Sequence, residues 1–262
     1  MTAAVCGYRQ FICLKGNIVM NFGLQLYSVR DSAEKDFKNT LKEVAKLGYE
    51  FVEPAGFFGH SAEEIKEWLD EYGLKVSGTH SGFEDLEKDF EGTVKFHKTI
   101  GNKRYIIPGL DTSTKAAIDV AVAKFNKFKP LLAAEGIDLM FHNHHREFMP
   151  NNDGLISHHE LQKLTDINFE IDTFWAFAAG LDPVATIEGL KDRVNCIHLK
   201  DGVKKPDGGF AGRALGEGDA PVPAVIKKAR ELGFTIVVES EGLDPTGLEE
   251  VARCANFLKD YE

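Results

Sequence analysis

Residues 167–201 read INFEIDTFWAFAAGLDPVATIEGLKDRVNCIHLKD, and the fold class can be inferred from the pattern of this segment. Alternating apolar residues predict one strand over 167–173 and another over 195–200, and charged residues at helical spacing predict a helix over 183–192. A strand, a helix and a second strand in this order are the repeating unit of parallel α/β proteins.

The same unit recurs from Met20 to the end of the chain. Other strands are predicted over 21–28, 49–54, 74–80, 104–108, 137–143 and 234–240, and other helices over 33–47, 61–72, 85–100, 113–135, 157–164, 221–232 and 245–260. Eight strand-then-helix units in about 240 residues predict a single-domain α/β fold, the (β/α)8 TIM barrel. A doubly wound open sheet is the main alternative, but its first strand usually leads into a glycine-rich phosphate turn, which QLYSVRDS at 25–32 is not.

The composition limits the kinds of molecule that the protein is expected to bind. The chain has 262 residues with 31 Lys+Arg against 41 Asp+Glu, a formal net charge of -10. This length fits one large domain with a full core. The negative charge argues against nucleic acid, and no run of about 18 apolar residues is present to span a membrane. Neither nucleic acid nor a membrane is expected as a partner.

The four cysteines (Cys6, Cys13, Cys196, Cys254) form no CxxC pair. They are too few for a disulfide scaffold, which indicates reduced thiols in a cytoplasmic protein. Residues 1–19, MTAAVCGYRQFICLKGNIV, have neither a basic start nor an unbroken apolar core. They do not resemble a signal peptide. We predict that residues 1–19 are an extension outside the fold and that residues 20–262 form the catalytic barrel domain.

Alternation along the strands predicts which side chains face the barrel interior. In the strand over 167–173, Phe169 and Ile171 share one face, whereas Glu170 and Asp172 share the other. Two carboxylates that point into a barrel are unsuited to an apolar core. The same rule aims many residues inward, mostly near the C-terminal strand ends where TIM barrels build active sites: Gln25, Tyr27, Glu53, His80, Met140, His142, His144, Cys196, His198, Lys200, Val237, Glu239 and Glu241.

Four of these residues have the chemistry of a metal site: His142, Asp172, His198 and Glu239. Two imidazoles and two carboxylates suit Mn²⁺, Zn²⁺, Fe²⁺ or Co²⁺ better than Ca²⁺, and the carboxylates balance the charge of a divalent ion. Such an ion would polarise a sugar carbonyl and stabilise an enediolate while a nearby base removes the adjacent proton.

Each residue also has a purely structural interpretation. His80 alone is more typical of a hydrogen-bonded core histidine, and Glu170 can instead form an ion pair with Lys200. The segment 204–209 is predicted to be a mobile loop, and Trp175 can line the core rather than a pocket. The coincidence of Asp172, His198 and Glu239 at equivalent ends of successive strands favours function.

Several segments together resemble the xylose isomerase-like barrel superfamily: GLQLYSVRD, LGYEFVEPAG, FHNHHREF, EIDTFWAFAAGLDP, CIHLKDG, LGEGDAPVPAV and IVVESEG. The resemblance spans nearly all of residues 20–262 and is strongest to the sugar phosphate isomerase/epimerase branch. It implies one divalent metal ion, most often manganese, with Zn²⁺, Co²⁺, Fe²⁺ and Mg²⁺ as alternatives. It also implies proton transfer next to the carbonyl of a small carbohydrate.

The resemblance departs from the family pattern at one ligand. Family members typically supply a glutamate, an aspartate, a histidine and a glutamate from strands five to eight. Asp172, His198 and Glu239 match the last three, but His142 stands where the first glutamate is expected. An imidazole there can still bind a metal, but it puts symmetrical epimerisation by two glutamates in doubt.

Two mechanisms follow from this pattern. In the first, Glu239 removes a proton next to the carbonyl of a keto-sugar and His142 or His144 handles the return step, which gives isomerisation or epimerisation. In the second, one base eliminates a group β to the carbonyl of a 3-keto-glycoside, as an eliminase or hydratase. A non-catalytic sugar-binding protein and a subunit that requires a separate partner are further alternatives. DNA repair of the endonuclease IV type, which the superfamily includes, conflicts with the acidic surface.

The remaining predicted site residues would bind substrate. Gln25, Tyr27, Glu53, His80 and Lys200 would line the pocket wall, and Glu147 matches an acidic position that contacts hydroxyls in relatives. Trp175 offers an aromatic face for a sugar ring, and Arg213 would reach in from a loop. The resemblance also implies a homodimer or homotetramer, in which Phe57 and Phe58 would cover the site of a neighbouring chain. The alternative is that these two residues form a pocket lid within one chain.

Overall fold

Strands and helices alternate along residues 20–261, which are the residues that the computed structural model describes. The prediction that residues 1–19 lie outside the fold falls outside this range and stays a prediction. The strands are β1 Met20–Gln25, β2 Tyr49–Glu53, β3 Lys75–Val76, β4 Thr79–His80, β5 Arg104–Ile107, β6 Asp138–His142, β7 Asn168–Asp172, β8 Val194–Leu199, β9 Asp201–Lys204, β10 Phe210–Arg213 and β11 Thr235–Val238.

Nine of these strands form one parallel sheet in the order β3-β2-β1-β11-β8-β7-β6-β5-β4. The two ends of this order, β3 and β4, are adjacent pieces of the same predicted strand, so the sheet closes into a barrel. The (β/α)8 TIM barrel prediction is confirmed. A side chain at Gly78, between β3 and β4, would place its Cβ 2.6 Å from Ile106 Cδ1 and 3.0 Å from Glu53 Oε2, which explains the glycine.

Helices surround the barrel as predicted, with local differences. They are α1 Arg30–Ala33, α2 Phe37–Lys46, α3 Ala62–Tyr72, α4 Phe83–Lys88, α5 Phe90–Thr99, α6 Lys115–Ala134, α7 Ser157–Leu164, α8 Thr173–Ala178, α9 Pro183–Gly189, α10 Val222–Leu232 and α11 Gly247–Leu258. Short 3-10 helices cover Leu26–Val29, His145–Phe148 and Lys259–Tyr261.

Two predicted helices are each divided by a capping aspartate. Asp36 accepts a hydrogen bond from the Asn39 N–H and starts α2, and Asp89 accepts one from the Gly92 N–H and starts α5. An aspartate side chain that caps a helix competes with continuation of the preceding one. The predicted helices over 33–47 and 85–100 are therefore wrong in their bounds but right in kind.

The barrel interior confirms the alternation rule. Ile106, Met140, Cys196 and Val237 form a small apolar cluster that is fully buried and separate from the large core between barrel and helices. Three of these four residues were predicted to face inward. The polar residues on the same faces therefore stack above this cluster, at the C-terminal end of the barrel.

Three further features concern the surface. Residues 201–213 form the antiparallel hairpin β9–β10, so the predicted loop over 204–209 is the tip of a hairpin. Among residues 20–261, no helix combines the length and apolar character that crossing a membrane requires. Phe57 packs on Phe96 with ring centroids 4.5 Å apart, while Phe58 is 42% exposed.

Candidate active site

The four predicted metal ligands converge at the C-terminal end of the barrel. His142 ends β6, Asp172 ends β7, His198 lies on β8, and Glu239 follows β11. One possible ligand atom from each lies within 4.8 Å of those of the other three, and all four residues are buried. We call these four residues the outer cluster.

Asp172 is held in place by its neighbours. Its Oδ1 accepts a hydrogen bond of 2.9 Å from the Trp175 N–H, which makes it the N-cap of α8. The side chain of Asn143 accepts from the Asp172 N–H at 3.1 Å and donates to the Asp172 carbonyl at 3.3 Å. The backbone of Asp172 is thereby fixed, and its second oxygen, Oδ2, accepts no hydrogen bond from residues 20–261.

The donor set fits a divalent cation. Asp172 Oδ2 and His142 Nδ1 are buried and have no hydrogen-bond partner among the described residues. Burying an unpaired carboxylate oxygen is costly, and a bound cation removes that cost. Imidazole nitrogens and carboxylate oxygens in equal number suit Zn²⁺, Mn²⁺, Co²⁺ and Fe²⁺.

A second group lies one layer deeper, because Glu170 precedes Asp172 by two residues on the same face of β7. Glu170 Oε2 lies 2.9 Å from His80 Nε2, 3.2 Å from His198 Nε2 and 3.5 Å from His142 Nδ1. The alternative that Glu170 forms an ion pair with Lys200 is wrong, because Glu170 is surrounded by imidazoles. Glu53 joins this layer, with Oε1 2.8 Å from His198 Nε2.

Lys200 places a buried ammonium group beside the outer cluster. Its Nζ lies 3.3 Å from Glu239 Oε2 and 4.0 Å from Asp172 Oδ2, and it also contacts the Glu241 carboxylate. The same Nζ lies 4.7 Å from the centroid of the Trp175 ring. Burial opposes the charge on Lys200, but the surrounding carboxylates outweigh it and raise its pKa.

Burial changes the pKa values of Asp172 and His142 in opposite directions. It raises the pKa of Asp172 to about 7, although Lys200 counteracts it, and it lowers the pKa of His142 to about 3. Burial would also raise the pKa of Glu239, but Lys200 and His198 outweigh it and hold that pKa well below the ordinary value. At neutral pH the site therefore combines a neutral His142 imidazole with an ionised Glu239.

His144 and Trp175 form one wall beside the outer cluster. The His144 ring centroid lies 5.2 Å from that of His142 and 5.9 Å from that of Trp175. Burial lowers the pKa of His144, and its Nδ1 has no hydrogen-bond partner among residues 20–261. Phe210 of the hairpin packs on Trp175 and His145 at 5.9 and 5.6 Å.

Three predicted substrate-binding residues are not brought into this cluster. Tyr27 does not continue β1, because the strand ends at Gln25; it lies in a 3-10 helix, is 43% exposed and stacks under Arg30. The Glu147 carboxylate accepts hydrogen bonds from the His144 N–H and from Arg146. The side chain of Arg213 bonds to the Gly212 carbonyl.

Several residues of the site were not predicted from the sequence. Glu170 was recognised as facing inward, but its central position among three histidines depends on side chains from three other strands. Asn143 and Phe210 were not considered at all. The sequence HNHH at 142–145 carried a signal for Asn143, because alternation places it on the face opposite the two inward-facing histidines, where a buried amide needs a hydrogen-bond partner.

Comparison with known proteins decides the family. A family model described as the xylose isomerase-like TIM barrel matches residues 41–261. The chain belongs to the xylose isomerase-like TIM barrel family. The resemblance inferred from the sequence is thereby confirmed, and the outer cluster lies at the end of the barrel where enzymes with this fold place their active sites.

The chain is also similar to individual proteins that are named as an isomerase/epimerase or as a dehydratase. A crystal structure of a sugar phosphate isomerase/epimerase from Parabacteroides distasonis is 26% identical, with a TM-score of 0.75 and coverage of 91% of this chain and 93% of that one. The IolI protein, solved with a bound zinc atom, shares the fold at 16% identity and a TM-score of 0.68, covering 92% of this chain and 97% of that chain.

An inosose dehydratase from Clostridium beijerinckii is 21% identical over 194 residues, which are 64% of this chain and 64% of the relative. The match therefore spans slightly less than two thirds of that relative's length. The names of these similar proteins describe different reactions, so family membership identifies an enzyme superfamily rather than one reaction.

Proposed function

We propose that this protein is a divalent-metal-dependent enzyme that abstracts a proton next to the carbonyl of a small carbohydrate, as a sugar isomerase or epimerase. The observation that carries the proposal is the outer cluster, in which four buried metal-ligating side chains meet within 4.8 Å at the C-terminal end of a TIM barrel. The likeness to a sugar phosphate isomerase/epimerase over 91% of the chain supports the substrate class.

His142, Asp172, His198 and Glu239 would hold the metal ion. A divalent ion bound there would supply Lewis acidity towards a carbonyl oxygen of the substrate. Mn²⁺ is the ion we expect, and the zinc atom bound by the IolI protein makes Zn²⁺ the first alternative.

Glu239 is the group best suited to take the proton. Its Oε2 contacts Lys200 and His198, which keep the carboxylate ionised, and its other oxygen makes no hydrogen bond among the described residues. An ionised carboxylate can act as a general base if the substrate places its C–H beside it. The neighbouring cation Lys200 would bind substrate oxygens, and Trp175 would cover a sugar ring.

His144 is the group best placed to return the proton to the substrate. His144 stands beside His142 and Trp175, and burial keeps its imidazole neutral at pH 7. A neutral imidazole can first accept a proton from a substrate hydroxyl or from solvent and then donate that proton to the substrate carbon. Isomerisation or epimerisation would therefore use a carboxylate on one side of the substrate and an imidazole on the other.

This asymmetry favours a second candidate function. Because His142 stands where the family resemblance leads us to expect a glutamate, Glu239 lacks the partner glutamate of a symmetrical pair, and one effective base suffices for elimination of a group β to a carbonyl. The inosose dehydratase relative supports a lyase of this type. A 3-keto-glycoside would be the corresponding substrate.

The test is incubation of the purified protein with keto-sugars and 3-keto-glycosides in D₂O in the presence of Mn²⁺. We expect deuterium at a carbon next to the carbonyl, detected by NMR and mass spectrometry. Recovery of an epimer or aldose isomer supports the first candidate, whereas an unsaturated ketone that absorbs in the ultraviolet, together with a released leaving group, supports the second.

Two variants serve as controls for this experiment. Glu239→Gln is expected to lower exchange by about 10²-fold or more, because general-base catalysis contributes that much. Glu249→Gln removes an exposed carboxylate that bonds Thr246 at the start of α11 and should leave exchange unchanged. Exchange that persists in Glu239→Gln would contradict the assigned base, and binding of sugar without exchange in the wild type would indicate a binding protein.

A further inference from the structure

Two buried glutamates face two imidazoles below the outer cluster. Glu53 Oε1 lies 2.8 Å from His198 Nε2 and 3.2 Å from His80 Nε2. Glu170 Oε2 lies 3.2 Å from His198 Nε2 and 2.9 Å from His80 Nε2. These four atoms form a closed ring, which we call the inner ring, in which each nitrogen faces two carboxylate oxygens.

The inner ring restricts where the histidine protons lie. A carboxylate oxygen that carries no hydrogen only accepts hydrogen bonds, so a nitrogen that faces two of them has to carry a proton. A bare lone pair in this buried position would face the oxygens of two carboxylates, which is costly. Nε2 of His198 therefore carries a hydrogen, and the nitrogen that remains for another partner is Nδ1, 3.3 Å from Glu239 Oε2.

The position of Glu53 does not depend on the histidines alone. Gln25 Nε2 donates to Glu53 Oε1 at 2.9 Å, and Gln25 Oε1 accepts from the Tyr27 N–H at 3.0 Å. Because the amide oxygen is used by the backbone, the amide nitrogen has to face Glu53. The carboxylate is thus fixed by the end of β1 as well as by the imidazoles.

We infer that Glu53 and Glu170 are positioning residues that fix the tautomer of His198, so that Nδ1 is the nitrogen presented to the divalent ion. The role of the ion rests on the proposed function, whereas the proton on Nε2 belongs to the protein with or without an ion. Carboxylates behind a metal-binding histidine orient the ring and increase its basicity, and removal of one typically lowers metal affinity about 10- to 100-fold.

The first test reads the protons directly. Protein labelled with ¹⁵N in its histidines is studied by long-range ¹H–¹⁵N NMR, metal-free and loaded with Zn²⁺, and the His198 ring is assigned by comparison with His198→Gln. We expect Nε2 to carry its proton in both states and Nδ1 to show the shift of a zinc-bound nitrogen after loading. Zinc on Nε2, or Nε2 without a proton in either state, would overturn the inference.

The second test measures affinity by Zn²⁺ titration against a chromophoric chelator. Glu53→Gln and Glu170→Gln are each expected to weaken zinc binding about 10- to 100-fold without changing the number of ions bound. The matched control is Asp138→Asn, a partly buried carboxylate at the opposite end of β6 that pairs with Lys129, and its affinity should equal that of the wild type.

The outcomes separate this inference from the proposed function. Wild-type affinity in both glutamate variants would contradict the positioning role, and a second zinc ion lost only in Glu170→Gln would mean that the inner ring is itself a cation site. If the wild type binds no zinc, the proposed function fails, but the proton on Nε2 in the metal-free protein still confirms or contradicts the tautomer. The labelled wild type answers this question even if a glutamate variant does not fold.

Discussion

Lys200 shows how strongly the candidate site depends on charge balance. Its ammonium group is 1% exposed and lies among the carboxylates of Asp172, Glu239 and Glu241. In the absence of a metal ion, it is the nearest fixed positive charge to Asp172 Oδ2 among the described contacts of that oxygen. A charge that is buried without a partner destabilises a fold far more than a surface charge does.

Lys200→Met should therefore lower the stability of the metal-free protein by about 3 kcal/mol, because the two buried carboxylates, those of Asp172 and Glu239, lose their cationic partner. Added Mn²⁺ or Zn²⁺ should raise the thermal midpoint more in this variant than in the wild type, since the ion replaces the missing charge. Differential scanning fluorimetry with and without metal measures both effects.

Lys228→Met is the control, because Lys228 forms surface ion pairs with Glu188 and Glu231. Its thermal midpoint should change little. If Lys200→Met were as stable as the wild type without metal, Lys200 would not compensate the carboxylates in the way that its contacts indicate.

His97 gives a pH dependence that does not involve the candidate site. It is a buried histidine on α5 whose Nδ1 lies 3.1 Å from the donating Nδ2 of Asn102, and burial lowers its pKa to about 4. Because the pKa in the folded state is below the ordinary value of 6.5, the unfolded chain takes up the proton first as pH falls. The stability that depends on a neutral His97 is complete above pH 6.5 and is lost towards pH 4.

This effect amounts to about 3 kcal/mol at most. Urea unfolding between pH 7 and pH 4 should show a smaller loss of stability in His97→Asn than in the wild type. Equal pH dependence in the two proteins would show that His97 is not held neutral. NMR titration of the His97 ring gives an independent value for its pKa.

The residues of the outer cluster could be predicted from alternation along the strands, because a period of two decides which side chains enter the barrel. Their individual partners could not. Whether Glu170 faces Lys200 or three histidines depends on register between strands and on side-chain rotamers, and neither follows from the spacing of residues in one strand. The position of Tyr27 was predicted wrongly for a related reason. The sequence predicts a strand over 21–28, but β1 ends at Gln25, two residues before Tyr27.

At the level of elements, the third barrel strand departs most from regular geometry. β3 and β4 each contain two residues and are separated by Ser77 and Gly78. Arg104 spans this gap, because its Nη1 donates to the Ser77 carbonyl at 2.8 Å. The absence of a side chain at Gly78 allows Ile106 and Glu53 to approach the backbone there.

Gly78→Ala should consequently destabilise the protein by about 1–3 kcal/mol through overpacking. Part of the effect should appear at the site, since the added Cβ would lie 3.0 Å from Glu53 Oε2. Gly189→Ala is the control, because a Cβ at that position on α9 meets no atom within 4 Å. Urea midpoints of the two variants measure the difference, and equal midpoints would contradict the packing argument.

Helix α8 and the hairpin β9–β10 illustrate what the sequence analysis could not resolve. The segment TFWAFA is apolar throughout, so its pattern does not separate a strand continuation from a short helix. The helix forms because Asp172 caps it, and a residue predicted to bind metal thus has a second role. Only residues 204–209 of the hairpin were predicted, as a loop, because KKPDGG combines charged residues with the turn formers Pro, Asp and Gly, whereas the pairing of β9 with β10 comes mainly from the flanking residues.

For the whole molecule, the fold could be predicted because one unit repeats eight times and errors in single helix bounds do not alter the count. The order of the strands also predicted that the four residues of the outer cluster, which lie on or after β6, β7, β8 and β11, would meet. The reaction could not be predicted in the same way, since isomerisation and elimination begin with the same proton abstraction and differ in what the substrate offers next. Oligomeric state depends on surface complementarity, which periodicity does not encode.

We expect the outer cluster to bind one divalent ion. Measuring the metal content of the purified wild-type protein and of Asp172→Asn tests this directly. The asparagine keeps an acceptor for the Trp175 N–H and so preserves the cap of α8, but it removes the charge. Asp182→Asn, which changes the equivalent cap of α9 on the surface, is the matched control. Elemental mass spectrometry after dialysis against Mn²⁺ should find about one ion per chain in the wild type and in the control, and far less in Asp172→Asn. No bound ion in the wild type, or equal content in all three proteins, would contradict the account.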